Sequence, residues 1–144
     1  MSDFLRQFRW LAYSDKLKLC GIIISIIILK ISLRIIGFKR IVEFLRKTSY
    51  KKDRQSRKPF EYYRGLMQLS YMFFARDGFC LSTSLVFWRL LQKEGINTQL
   101  FFGTKKQNGK LFAHAWLEYE GIPLGNDRNV SKKYKKIEIS IASF

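Results

Sequence analysis

CLSTSLVFWRLLQKEGINTQLFFGTKKQNGKLFAHAWLEYEGIPL, residues 80–124, changes its hydrophobic period partway along, and that change decides the fold. In its first part Leu81, Leu85, Trp88 and Leu91 or Gln92 recur at three- and four-residue steps, the stripe of an amphipathic helix running from about Cys80 to Glu94. Gly95 stands where a left-handed cap would end that helix, and Asp77 where an acid would precede or cap it. Past Gly95 the chain reads as strands. Residues 96–102 and 110–119 are rich in aromatic and β-favouring side chains, and Asn108-Gly109 between them is the pair best suited to a tight hairpin turn. Glu120-Gly121 then turns the chain into a short strand at 122–124, and Ile137, Ile139 and Ile141 alternate as a last one.

Upstream the period is helical. Tyr62, Leu66, Leu69 and Phe73 place a helix over 61–75, broken by Arg76, Asp77 and Gly78. Residues 19–29, LCGIIISIIIL, carry no charge, and the apolar character runs on to Ile36 past Lys30 and Arg34, which share one helical face. A membrane span needs about 20 apolar residues, roughly twice that uncharged run. The segment is therefore read as a helix with a wide apolar face, packed in a core or on a partner. Peripheral contact with a membrane is the first alternative and a span the second. Lys39, Arg40, Arg46, Lys47, Lys51, Lys52, Arg54, Arg57 and Lys58 follow against only Glu43 and Asp53, so 47–58 reads as a solvated linker, with docking of an acidic peptide or anionic lipid as the sharper alternative. Residues 1–58 then form an N-terminal helical, apolar and basic segment, and 59–144 the core that carries chemistry. Helices first and strands after define an α+β fold with a small antiparallel sheet.

A chain of 144 residues holds one ordinary domain, and 47% apolar residues are enough to fold it. Twenty-seven Lys and Arg against 11 Asp and Glu leave a net charge of +16, which favours an anionic partner. No zinc-finger spacing or ribonucleoprotein signature accompanies the charge, so nucleic acid is not expected. Two cysteines in unlike settings, Cys20 and Cys80, argue against a disulfide framework and for a reducing cytoplasm. With a single histidine, neither a metal site nor another cofactor is expected.

Cys80 and His114 are the residues with chemistry to offer. At a helix start the unpaired N–H groups and the helix dipole favour a thiolate, the nucleophilic form of cysteine. His114 lies within a strand whose alternation puts Phe112, Trp116 and Glu118 on the same face. A general base of this kind needs a third group to orient its ring, and Asn126 and Asp127 follow the next short strand closely enough to turn back beside it. The bland alternative, a buried cysteine and a satisfied polar histidine, uses the same residues.

The stretches CLSTSLVFWRLLQKEGINTQLFFGT (80–104) and AHAWLEYEGIPLGNDRNV (113–130) together resemble the leader-peptidase part of lasso-peptide biosynthesis B proteins, of the transglutaminase-like superfamily. The matching positions are Cys80, Leu81, Gly95, Gly103, His114, Trp116, Glu118 and Gly121. This resemblance implies a transglutaminase-like or papain-like cysteine peptidase core with Cys80 as nucleophile, His114 as base, and a third member at Asn126, where the family usually has an acid, or at Asp127. It further implies that the precursor's leader peptide is the substrate, that a separate leader-recognition protein is required, and that the freed core passes to a lasso cyclase. The apolar helix is the expected docking surface. Two rival classes remain: an inactive peptide-binding module of the same fold, and a basic protein of membrane surfaces or nucleic acid.

Overall fold

The computed structural model describes residues 9–49, 58–74, 78–125 and 129–137. Among the described residues the longer helices come first: α1 (Tyr13–Ile36), α2 (Phe38–Ser49), α3 (Phe60–Phe73) and α4 (Cys80–Lys93). The strands β1 (Gln99–Gln107), β2 (Lys110–Tyr119) and β3 (Ile122–Pro123) follow, then a single turn α5 (Val130–Lys133) and β4 (Lys135–Ile137). The sheet is antiparallel throughout, in the order β3-β2-β1-β4. This is the α+β arrangement that the change of period predicts.

The hairpin forms as its turn residues dictate. Asn108 and Gly109 both adopt positive φ, 51° and 74°, the pattern of a tight turn whose twist matches the strands, and Gln107 pairs with Lys110 directly across it. Strand β1 begins at Gln99 rather than at residue 96, because the preceding residues are spent leaving α4. There Gly95, at φ 76°, donates its N–H to the Gln92 carbonyl and Ile96 donates to the Leu91 carbonyl, so the helix end is closed by its own chain. Of the alternating isoleucines near the C-terminus, Ile137 lies in β4, while Ile139 and Ile141 fall outside the described residues, as does Asp77.

The cationic stretch holds more structure than its composition suggests. Gly37, at φ 91°, breaks the helical run, and α2 starts at the next residue, burying Ile41, Val42 and Leu45 on one face while its cations point outward. The expected linker therefore starts late: helix continues to Ser49, and residues 50–57 lie outside the described set. Helix α1 starts earlier than its apolar run, at Tyr13, and Asp15 in its first turn accepts the Tyr62 hydroxyl at 2.7 Å, which ties it to α3.

One continuous core joins all four helices to one face of the sheet. Leu19 and Ile26 of α1, Val42 of α2, Met67 of α3 and Leu85 and Leu91 of α4 meet Leu100 and Leu117, which pair across β1 and β2. Phe38 packs edge-on against Phe102, and Phe60 lies over Tyr119, on that same face. Residues of the other parity, His114, Trp116 and Glu118 among them, are turned to the opposite side of the sheet.

Candidate active site

Cys80 is the first residue of α4 and is half-buried. Phe79 holds the cap position and makes no side-chain capping bond. The first N–H groups of the helix thus point toward the space in front of Cys80, a setting that suits a negative charge. Phe79 is itself clamped, stacked on Phe74 at 4.3 Å between centroids, with the Lys30 ammonium of α1 3.4 Å from its ring centre. A helix of the N-terminal half therefore supports the residue immediately before the cysteine.

What brings α4 to the sheet is a hydrogen-bonded bridge one turn further on. In β2 the Leu117 carbonyl accepts the Leu124 N–H at 2.8 Å, on the edge that β3 occupies. Carbonyls two residues apart along a strand point the same way, so Ala115 aims its carbonyl at that same edge, beyond the reach of the two-residue β3. There it accepts the Ser84 hydroxyl at 3.1 Å. The structure thereby joins the start of α4 to the middle of β2, one turn from Cys80 and one residue from His114.

Tyr71 completes the bridge, and nothing in its sequence setting announces it. Its hydroxyl lies 3.2 Å from Ser84 Oγ. Because the one hydroxyl proton of Ser84 goes to a carbonyl, which can only accept, Tyr71 is the donor in this pair. Burial pushes the Tyr71 phenol up to about 12, and the nearby Cys80 adds to the rise. The phenol stays protonated and can keep donating. On its other side the Tyr71 ring presses on Gly125, where a Cβ would sit 2.9 Å from Cε2 and where φ is +113°. Gly125 is the last described residue before the third-member candidates. Asn126 and Asp127 themselves lie outside the described residues.

His114 is one of three aromatic rings in mutual contact, with Trp116 and Tyr134 themselves 6.4 Å apart. Its ring stacks on Tyr134 at 5.2 Å and on Trp116 at 6.2 Å. Trp116, 1% exposed, donates Nε1–H to Glu118 Oε1 at 2.8 Å, and Lys136 of β4 pairs with that carboxylate at 2.9 Å. The sequence-predicted face of His114, Trp116 and Glu118 is real, and β4 and the turn before it add Tyr134 and Lys136. Gly103, opposite His114 in the ladder, makes room for this: a Cβ there would come within 2.8 Å of Tyr134 Cβ and 2.9 Å of the Trp116 ring. The Ser84 bond thus links the helix that begins at Cys80 to the strand that carries His114, whose side chain is on the sheet face away from the core that α4 packs on.

No curated protein and no solved structure matches the chain. A family model does, over residues 25–138, from within α1 to just beyond β4, and so takes in the helices, the sheet and both candidate residues. The chain accordingly belongs to the Transglutaminase-like superfamily, which includes cysteine peptidases.

Proposed function

We propose that the protein is a cysteine peptidase that removes the leader from a ribosomally made lasso-peptide precursor before macrocyclisation, acting in the cytoplasm with a separate leader-recognition protein and handing the freed core to a lasso cyclase. The observation that carries the peptidase reading is the Ser84 to Ala115 hydrogen bond, which sets the cysteine-bearing helix start against the strand that holds His114. The precursor and the partners rest on the resemblance of residues 80–104 and 113–130.

Cys80 Sγ adds to the carbonyl carbon of the peptide bond between leader and core. His114 takes the thiol proton and delivers it to the leaving amine, so the C–N bond breaks, the core departs with a free amino terminus and the leader is held as a thioester. Water then adds to the thioester, with His114 accepting its proton. The C–S bond breaks, and the leader leaves as a carboxylate while the thiol is restored. The backbone N–H of Cys80, at the helix start, meets the oxyanion. Tyr71 is not its second donor, because its proton is committed to Ser84. It acts as a positioning residue that keeps α4 seated on β2. Asn126 or Asp127 orients the His114 ring.

The test is cleavage of a precursor peptide by the purified protein together with its recognition partner, followed by mass spectrometry. Leader release by the natural protein and none by Cys80→Ala supports the reading. Binding of the precursor without cleavage would instead mark an inactive module of this fold, and products joined to an added amine would mark a transferase. Separate Asn126→Ala and Asp127→Ala variants identify the third member as the one whose loss lowers the rate while precursor binding holds.

A further inference from the structure

Helix α1 has two apolar stripes, and only one of them is used by the fold. Leu19, Ile22 and Ile26 are buried in the core. On the other side Leu17, Ile24, Ile28, Ile31 and Ile35 are exposed at three-, four- and seven-residue steps along one line of the helix. That line begins at Tyr13, 76% exposed, and Trp10, 84% exposed, lies in the segment just before the helix. It also opens into a groove of about 620 Å³ between α1, α2 and α4, with Ile28, Leu29 and Leu90 in its apolar walls and Arg40, Arg89 and Lys93 among its cations. Arg89 Nε is buried there without a hydrogen-bond partner among the described residues.

We propose that this face docks on an anionic phospholipid surface, with α1 lying in the plane of the headgroups, its outer stripe in the acyl boundary, and the groove taking one chain beneath a phosphate held by the Arg and Lys side chains. Three observations select this occupant. The groove pairs apolar walls with cations on a protein of net charge +16, the complement of an anionic amphiphile. The stripe runs to Tyr13 and is preceded by the exposed Trp10, both beyond the groove, where a peptide helix seated in the groove would leave both rings in water, whereas a bilayer covers such rings at its interface. By length and composition α1 could cross a membrane, yet Leu19 and Ile26 are 0% exposed inside the domain. A crossing would strip those side chains from the core, while lying flat leaves every core contact in place. This proposal is independent of the peptidase reading.

The experiment adds vesicles of phosphatidylcholine alone, or of phosphatidylcholine with phosphatidylglycerol, to the full chain and reads flotation and tryptophan emission. Trp88 and Trp116 are buried, so a change in emission reports Trp10 and should vanish in Trp10→Phe. Expected are flotation and a blue shift with the anionic vesicles only, weakened several-fold at high salt. Arg40→Gln with Lys93→Gln should weaken binding about fivefold for each cation lost. Ile31→Asp should reduce it more than tenfold, and Ile31→Ser less, with circular dichroism unchanged in both. The proposal is overturned by absent flotation on anionic vesicles, by flotation that Ile31→Asp leaves intact with Trp10 emission unmoved, which is adsorption by charge alone, or by protection of this face by a soluble acidic helical peptide when vesicles give none.

Discussion

Helices α1 and α4 lie against each other and are both rich in apolar residues, yet the fold treats them differently. Of the 14 residues of α4, seven are buried, whereas only three of the 24 in α1 are. Helix α4 is closed at its C-terminal end by Gly95 and anchored near its N-terminal end by Ser84, so the position of Cys80 is set from both directions. Helix α1 is held along one line and leaves its other face outward. A long isoleucine run therefore does not mark the centre of this protein. What does is the shorter helix whose Ser82, Thr83 and Ser84 are buried along with Leu85 and Leu91.

The contrast within α1 can be broken most strongly by truncating each stripe in turn. Ile26→Ala should cost about 2–5 kcal/mol of folding stability, while Ile31→Ala on the exposed stripe should stay within about 0.5 kcal/mol, both by denaturant unfolding. Equal effects would mean that the two faces of α1 are not distinct. At α4 a smaller change tests the anchor. Ser84→Ala leaves the Ala115 carbonyl and the Tyr71 hydroxyl without their partner and should cost about 1–3 kcal/mol, with peptidase rate falling further than precursor binding because the helix start shifts against β2. Tyr71→Phe should cost least, about 1 kcal/mol, and it carries a pH signature. A phenol whose folded value is raised contributes stability that is intact below the unfolded value near 10 and is lost as pH climbs toward about 12. The alkaline fall in stability over that window should therefore be shallower in Tyr71→Phe than in the natural protein.

Most of the fold is legible in the residues, because local rules and tertiary packing agree there. Strand β2 has the bounds that its alternation gives, and Asn108, Gly109 and Gly121 turn the chain where their tolerance of positive φ predicts, with Glu120 drawn into the same region at 50°. Helix α2 was hidden because its cations outnumber the three apolar residues that seat it, Ile41, Val42 and Leu45. In the site, Cys80 and His114 stand out by chemistry alone. Ser84 and Tyr71 do not, since a serine and a tyrosine within helices carry no local signal, and their role arises only when α3, α4 and β2 meet. Tyr134 and Lys136 were masked in the same way by the basic string around them, although they cover His114 and pair with Glu118. Gly103 shows the converse: its reason is wholly tertiary, the passage of Trp116 and Tyr134 across it.

The most direct test asks whether His114 acts on Cys80. In a Cys20→Ser background, which removes the other, exposed thiol, the rate of Cys80 alkylation by iodoacetamide at neutral pH should fall at least about tenfold when His114 is replaced by Ala, with the fold intact by circular dichroism. Identical rates in the two proteins would contradict a working pair.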